Sequence, residues 1–345
     1  MRVVSLAVGL TAAGVVAAAC GGRARTPASP RTASGSAAAP ASAPGAAPGS
    51  PQDCARCHPT EASEWDASLH HASFTDADFQ RSFGQEPSAF CFDCHAPQAK
   101  NREDARGAAI GVGCTSCHSA SARHGDGTRD AMAPPVATTT TTDCTGCHEF
   151  TFPGRSALMQ STVTEHARSP FASTSCASCH LPVAADGHRD HRFDVTRNTA
   201  LLRASIDVQS RRTDKGVEIL LATRHVGHAM PTGDLFRRLR IVVRAEASDG
   251  SMLGEEEVVL ARRFERTRGL PQEIEDTRLR GDQERRVVLD GPWVALAERV
   301  TIEARYERVA QNLEIEDVRG RLQRHDSVFA SIVLAEETLS RGRTR

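Results

Sequence analysis

The chain of 345 residues has little lysine, tyrosine and, over part of its length, aliphatic side chain. Lys100 and Lys215 are the only lysines, so the basic residues are almost all arginine, and no basic run is interleaved with aromatic residues. Nothing in the sequence therefore indicates nucleic-acid binding. Between residues 53 and 197, leucine, isoleucine and valine together number nine, too few for an ordinary hydrophobic core.

Cysteine is confined to the first 180 residues. Ten of the 11 cysteines form five CxxCH motifs: CARCH (Cys54–His58), CFDCH (Cys91–His95), CTSCH (Cys114–His118), CTGCH (Cys144–His148) and CASCH (Cys176–His180). Zinc sites need two such pairs, or a pair plus histidines, converging on one ion, and thioredoxin-like pairs need a βαβ context and rarely occur in fives. CxxCH is instead the attachment pattern for c-type haem.

The chemistry of haem attachment explains the spacing within each motif. Two thiols add to the two vinyl groups of one porphyrin, and the histidine that follows reaches the iron as its proximal ligand. The sequence therefore predicts five covalently bound haem c groups. The predicted attachment cysteines are Cys54, Cys57, Cys91, Cys94, Cys114, Cys117, Cys144, Cys147, Cys176 and Cys179. The predicted proximal iron ligands are His58, His95, His118, His148 and His180.

Haem also resolves the shortage of aliphatic residues between residues 53 and 197. Five apolar macrocycles bonded to the chain can form the core themselves, and nine phenylalanines of this region are expected to pack against them. We expect short helices around the motifs, joined by irregular chain. Arginine suits haem propionates because it binds carboxylates in a bidentate manner, although a solvated arginine surface explains the composition equally well.

The pattern changes to alternating apolar and polar residues from about Leu202. Two hairpins are predicted, with turns near Asp214–Gly216 and at Asp249–Gly250, and the runs RRVVLD and RVTIEARYERV supply further strands. Short strands with turn signals between them favour a β-sandwich over residues 198–345, which contain no cysteine. The predicted fold class is α + β: a mainly α-helical and irregular pentahaem domain, residues 53–197, followed by a β-sandwich.

The first 19 residues have the layout of a secretory signal: Arg2, an apolar stretch and then small residues. The segment resembles a bacterial lipoprotein signal, which implies lipidation at Cys20, although Ala17 stands where such signals usually have leucine. An ordinary signal peptide cut nearby is the alternative. Residues 20–52, rich in Ala, Pro, Ser and Gly, are predicted to be a disordered linker. Both alternatives imply export, and lipidation implies a periplasmic or outer-membrane lipoprotein.

Each iron has a second axial position, and nine histidines lie outside the motifs. The segments EWDASLHH, CHAP (Cys94–Pro97), GVGCTSCH followed by His124, and CHLP followed by HRF (His191–Phe193) resemble multihaem cytochromes c related to cytochrome c-554 and to the pentahaem and octahaem nitrogen-cycle enzymes. The resemblance covers roughly residues 53–195. It implies that His70, with His71 as its rival, His124 and His191 are distal ligands, and a weaker match adds His166.

The segment HVGHAMPTGD (His225–Asp234) lies in the predicted sandwich. It resembles a G-H-x-x-P-T-G segment of β-domains appended to multihaem cytochromes, which implies that His228 is a distal ligand donated from the sandwich. The alternative is a turn with a solvent-facing histidine. His225 and His325 are interpreted as surface residues, and Met159 and Met230 as core residues, although methionine is also an axial ligand in some cytochromes.

Two functions follow from these assignments. If five distal histidines close five irons, the protein transfers electrons along closely packed haems between redox partner proteins in the periplasm or at the outer membrane, where its lipid anchor holds it. The alternative is an oxidoreductase with one open haem acting on a nitrogen or sulfur oxide. No CxxCK motif is present, and the only tyrosine, Tyr306, lies on a predicted strand of the sandwich. In the family that the chain resembles, nitrite reductases often carry a lysine at the catalytic haem, and hydroxylamine-oxidising members use a tyrosine crosslinked to it. The absence of both features here favours electron transfer, and no catalytic residue is assigned.

Overall fold

The computed structural model describes residues 50–118 except 86, 141–151, 158–234, 237–267, 270–281, 283–309, 313–316, 322–325 and 328–340. Short helices occupy the first part of this range and β-strands the rest, which confirms the predicted α + β fold class. Within these ranges no helix is both long and apolar enough to cross a membrane. Cys20, His124, the signal segment and the linker up to residue 49 lie outside the described residues.

The first region is built from short helices. They are α1 (Pro51–Ala55), α2 (Pro59–Asp66), the 3₁₀ helix η1 (His71–Ser73), α3 (Ala77–Gln85), α4 (Phe90–His95), α5 (Ala105–Ile110), α6 (Cys114–Cys117), α7 (Thr141–His148), α8 (Thr162–Ala167) and α9 (Cys176–His180), with a small ribbon of β1 (Glu149–Phe150) and β2 (Gln160–Ser161). Isolated helices this short are not stable in water, so their order must come from packing and ligation.

Local capping determines where several of these helices begin. The side chain of Ser50 accepts a hydrogen bond from the Asp53 N–H, and Pro51 occupies the first turn of α1, where its missing N–H has no cost. Helix α1 therefore starts at Pro51, ahead of the predicted domain boundary at residue 53, and the last residues assigned to the linker belong to an ordered cap. Asp104 and Ser175 cap α5 and α9 in the same way.

The second region begins with α10 (Thr199–Ala204) and contains two main sheets. Its elements are β3 (Ile206–Arg212), β4 (Gly216–Thr223), β5 (Arg237–Glu246), β6 (Met252–Leu260), β7 (Arg262–Thr267), β8 (Leu270–Asp276), β9 (Arg285–Asp290), α11 (Pro292–Leu296), β10 (Arg299–Val309), β11 (Leu313–Glu316), β12 (Leu322–His325) and β13 (Val328–Ser340). A four-stranded sheet has the order β13-β10-β5-β6, and a three-stranded sheet the order β3-β4-β9. All pairs are antiparallel.

Both predicted hairpins are present. Strands β3 and β4 pair from Ile206↔Thr223 to Arg212↔Val217, and β5 pairs with β6. Gly250 has a φ of +82°, the left-handed conformation that favours glycine in the turn between β5 and β6. The antiparallel ribbon of β7 and β8 and the long strand β13 were not predicted from the sequence.

The inner faces of the two sheets share one hydrophobic core, as the predicted β-sandwich requires. Ile219 and Leu221 of the three-stranded sheet and Ile241, Val243 and Ile302 of the four-stranded sheet are fully buried in it. Burying each such side chain contributes roughly 1.5–3 kcal/mol. The described residues of the helical region form no comparable cluster, and all of its described phenylalanines are only half-buried, which fits the expectation that haem forms part of its core.

Buried polar contacts join the sandwich to the helical region. The Arg262 guanidinium donates to the carbonyls of Leu158 (2.5 Å) and Met159 (2.9 Å), beside β2. The Arg278 guanidinium lies 2.6 Å from the Glu165 carboxylate on α8. Arg278 also donates to the Pro231 carbonyl in the loop that carries His228, so it joins this loop to the helical region.

Candidate haem-binding sites

Each CxxCH motif includes one helical turn. The motifs lie at α1, α4, α6, α7 and α9. The N–H of His58 bonds to the carbonyl of Cys54 (2.9 Å), and that of His118 to Cys114 (2.8 Å). Because residues three and four apart share a helix face, the two thiols and the imidazole of one motif project to the same side. This is the arrangement that attachment to a single porphyrin requires.

The structure brings three motif histidines together with three of the proposed distal histidines. The ring centroids are 6.4 Å apart for His148 and His70, 6.2 Å for His118 and His191, and 6.1 Å for His180 and His228. Two imidazoles bonded to one metal ion from opposite sides, each about 2 Å from it, place their centroids roughly 6 Å apart. All three pairs therefore have the spacing that a shared iron would give.

Burial keeps these imidazoles in the form that binds metal. It lowers the pKa of His70, His148 and His180 to about 4. At His148 and His180, neighbouring histidines lower the pKa further. Burial also lowers the pKa of His118 and His228. These side chains are therefore neutral at pH 7, and a neutral imidazole has the lone pair that an iron ligand needs.

Several of these histidines have a hydrogen-bond partner at Nδ1, which leaves Nε2 for a metal. His95 Nδ1 lies 2.8 Å from the Ser73 carbonyl, His191 Nδ1 2.6 Å from the Arg189 carbonyl and His228 Nδ1 3.0 Å from the Ala229 carbonyl. At His148 the partner is the side-chain amide of Gln160, whose Nε2 lies 3.0 Å from Nδ1 and would donate to it; the amide turned over would instead accept from an Nδ1 proton and leave Nε2 of His148 for a metal. Such outer partners set the tautomer and ring orientation of metal-binding histidines. Sequence reasoning missed all of them because three are backbone carbonyls and Gln160 has no motif.

The geometry separates the two histidines of the His70–His71 doublet. His71 turns away from the motif histidines: its Nδ1 lies 2.9 Å from the Asp66 carbonyl, and its ring packs on Trp65 at 4.3 Å. His70 is half-buried and lies opposite His148, so it is the member of the doublet with the geometry of a distal ligand.

The loop that carries His191 is held by Glu64 of α2. Its carboxylate accepts from the N–H of His191 (2.9 Å) and lies 3.0 Å from Nε2 of His188, whose Nδ1 bonds to Asp186. Hydrogen bonds to Glu64 and Asp186 raise the pKa of His188 to about 9.

The interaction between Glu64 and His188 should make stability depend on pH. Because the pKa of His188 is raised in the folded protein, its contribution is complete below its ordinary pKa of 6.5 and is lost as pH rises through about 9. We expect the difference in free energy of unfolding between the wild type and His188→Ala to shrink over this interval. Urea unfolding at several pH values measures it, and a difference that stays constant with pH would contradict the assignment.

His95 has a different environment. Its ring stacks on Phe79 with centroids 3.9 Å apart, and Phe79 belongs to a cluster with Phe74, Phe83 and Phe92. Among the described residues, no histidine ring packs against His95 as one does against His118, His148 and His180. Half-buried aromatic rings beside an attachment motif fit the flat apolar face of a porphyrin.

Two pairs of motifs lie side by side. The side chain of Cys94 lies beside that of Cys147, and Cys94 Sγ is 3.8 Å from the Gly146 carbonyl. The side chains of Cys54 and Cys114 also lie side by side. The second motif is thus adjacent to the fourth, and the first to the third.

The other candidate residues occupy varied positions. The ring of His166 lies beside Gly227, where an added Cβ would be 3.2 Å from His166 Cδ2, and it forms no close ring pair with a motif histidine within the described chain. Met230 is part of the sandwich core, and its sulfur accepts from the Ser205 hydroxyl, which fits the packing interpretation. Met159 is also buried. His225 is exposed with a φ of +55°, and the side chain of His325 is outside the described residues.

The donor set matches covalently bound haem. Thiols and imidazoles are paired at the right spacing on single turns, neutral histidines face motif histidines, and aromatic rings lie beside the attachment points. Within the described residues no three His, Cys, Asp or Glu side chains converge as a separate metal-binding group.

Comparison with known proteins supports this interpretation. Residues 53–119 match the family model described as cytochrome c554 and c-prime. The fold is similar to a penta-heme cytochrome c552 from Thermochromatium tepidum, with 20% sequence identity, a TM-score of 0.65, and coverage of 84% of this chain and 98% of that chain. MtrC from Shewanella baltica OS185 matches at 14% identity over 72% of this chain and 44% of its own, with a TM-score of 0.18, which does not indicate a shared fold. No curated protein sequence matches the chain.

Fold, motifs and family match together define a multihaem c-type cytochrome with covalently bound haem. The match of residues 53–119 to the cytochrome c554 and c-prime family model confirms the resemblance inferred from the sequence. Since c-type cytochromes are extracytoplasmic, the protein functions outside the cytoplasm.

Proposed function

We propose that the protein is an extracytoplasmic pentahaem cytochrome that transfers electrons through closely packed, mostly bis-histidine haems. The observation that carries the proposal is the set of three histidine pairs at 6.1–6.4 Å. His70 would complete the iron bound by His148, His191 that of His118, and His228 that of His180. An iron with two imidazole ligands has no position for a substrate, so it can only accept and donate an electron.

The protein side chains would also bring neighbouring haem centres together. Phe193 links two of the histidine pairs, because its ring lies 4.3 Å from that of His70 and 6.3 Å from that of His191. The adjacent motif cysteines, Cys54 with Cys114 and Cys94 with Cys147, bring further pairs of haems close. When bound, each haem would supply one reversible Fe(III)/Fe(II) couple.

His124 and His166 are proposed as the remaining distal ligands, for the irons of His58 and His95. Both proposals rest on the family resemblance, and the match of His166 is the weaker. His124 lies outside the described residues, and His166 lies next to the loop that carries His228.

Domain limits, anchor and partners complete the proposal. We take residues 1–19 as a lipoprotein-like signal, Cys20 as the lipidated residue, and the following Ala/Pro/Ser/Gly-rich segment as a tether to the pentahaem domain and the sandwich. A lipid anchor behind such a tether would let the haem region reach redox partner proteins in the periplasm or at the outer membrane.

Two measurements on the purified, oxidised protein test the electron-transfer proposal. Intact mass should exceed that of the polypeptide by five haems. Low-temperature EPR should show low-spin haem signals that do not change when nitrite or hydroxylamine is added. A high-spin component that shifts with either compound would contradict the proposal for the haem concerned.

The alternative, an oxidoreductase with one open haem acting on a nitrogen or sulfur oxide, has one observation in its favour. The ring that stacks on His95 is that of Phe79, whereas His118, His148 and His180 each face a second histidine. Phenylalanine cannot bind iron, so it would leave the second position of that haem open. If that haem is open, a high-spin signal should respond to nitrite, and Phe79→Leu should alter it. Phe264→Leu, at a phenylalanine on β7 of the sandwich that packs against the Arg262 guanidinium, is the control.

A further inference from the structure

We propose that Glu165 is the positioning residue for His228, so that a carboxylate of the helical region sets the distal ligand supplied by the sandwich. The inference rests on the proposed function, because it takes His228 as the ligand of the haem attached at Cys176 and Cys179. It adds a role for a residue that is itself neither a ligand nor part of a motif.

Glu165 lies on α8 and accepts hydrogen bonds from both regions of the protein. Its Oε1 accepts from the Ser161 hydroxyl (2.7 Å) and from Arg278 Nη2 (2.6 Å). Its Oε2 accepts from the Ala229 N–H (3.2 Å) and from the Thr232 hydroxyl (2.6 Å). One largely buried carboxylate thus binds four donors, three of them on the sandwich side.

The contacts from Glu165 lead directly to the ligand ring. Ala229 follows His228, and its N–H is the group that Glu165 holds. The carbonyl of the same residue lies 3.0 Å from His228 Nδ1, which donates to it and leaves Nε2 without a proton. The ring so oriented lies nearly parallel to that of His180, at an interplanar angle of 12°.

Arg278 secures the other end of the same loop. Its Nη1 donates to the Pro231 carbonyl (3.1 Å), while its remaining donors bind Asp276 and Glu165. The Arg278 side chain is 5% exposed and that of Glu165 13%. Charge-assisted hydrogen bonds in such surroundings are stronger and more directional than neutral ones, so the loop has little freedom to move the imidazole.

The variant Glu165→Gln keeps the size of the side chain but replaces one acceptor oxygen with an NH₂ group. Whichever way the amide turns, its NH₂ group faces an N–H donor, either that of Arg278 or that of Ala229. We expect one low-spin haem to change its EPR g values or to become partly high-spin, with a shift in one midpoint potential and none in the others.

Two further variants separate the possible outcomes. Glu307→Gln alters a glutamate that is 1% exposed and pairs with Arg238 at 2.7 Å inside the sandwich, so it controls for loss of a buried ion pair. His228→Ala provides the reference spectrum for loss of the ligand. A change in Glu165→Gln at the haem affected by His228→Ala, with Glu307→Gln silent, supports the inference.

The contrary results are distinct. If His228→Ala becomes partly high-spin while Glu165→Gln matches the wild type, Glu165 does not position the ligand, although the proposed function stands. If His228→Ala itself is unchanged, the ligand assignment fails. Should Glu165→Gln not fold, Thr232→Val removes the hydroxyl that donates to Glu165 and also bonds to Thr162, and it is expected to give a smaller change at the same haem.

Discussion

Replacing His70 with alanine is expected to convert one haem to the high-spin state, the one attached at Cys144 and Cys147. The His70 ring lies 6.4 Å from that of His148, and burial lowers the pKa of both histidines to about 4, so both are neutral potential ligands. Without His70, the iron would keep one axial imidazole. EPR of the oxidised protein should show a high-spin signal equivalent to one haem per chain, with the other haems unchanged.

The neighbouring histidine provides the matched control. His71 has its Nδ1 2.9 Å from the Asp66 carbonyl and its ring on Trp65, so His71→Ala should leave every haem low-spin. The reverse result, a high-spin haem in His71→Ala and none in His70→Ala, would mean that the doublet is bound in the other register.

Replacing Arg262 with alanine is expected to lower the free energy of unfolding by roughly 2–5 kcal/mol, because buried acceptors would lose their donors. Arg262 donates to the carbonyls of Leu158 and Met159 and to Glu273, and its side chain is 5% exposed. These carbonyls lie beside Gln160, the partner of His148 Nδ1, so the Soret band should also respond. Chemical denaturation followed by circular dichroism and haem absorbance measures both effects.

The adjacent arginine, Arg263, tests whether the expected loss of stability in Arg262→Ala comes from the burial of the side chain rather than from its charge. Arg263 forms an ion pair with Glu275, but the two side chains are 65% and 47% exposed. Exposed pairs contribute about 0–1 kcal/mol, so Arg263→Ala should lie within that range. Equal losses in the two variants would show that the contacts of Arg262 across the two regions do not hold the sandwich in place.

The elements predicted best are those whose information is local. The hairpins β3–β4 and β5–β6 could be predicted because the alternation and the turn residues, Asp214–Gly216 and Asp249–Gly250, lie within one short segment. Strand β13 was missed, although it is long, because its place beside β10 depends on a pairing from Arg299↔Ser340 to Val309↔Val328 that no local pattern encodes. The start of the first helix was not predicted, because the cap at Ser50 lies in a segment whose composition resembles the linker.

The distal ligands show the same limit. The resemblance indicated His70, His191 and His228 but not which motif histidine each would face, and it left His70 and His71 in competition. The pairings join residues far apart in the chain, such as His70 with His148. Only the folded chain brings them together, through contacts such as Glu64 with the His191 loop and Glu165 with the His228 loop.

Covalent haem attachment is encoded within five residues, because two thiols and an imidazole on one helical turn are enough to bind one porphyrin and its iron. The CxxCH motifs therefore indicate the cofactor without any knowledge of the fold. Closing an iron needs a second imidazole from elsewhere, held at the right distance, in the neutral state and with Nδ1 engaged. Packing, burial and hydrogen bonds between distant segments supply those conditions, so the tertiary structure decides which histidines can complete the haem sites.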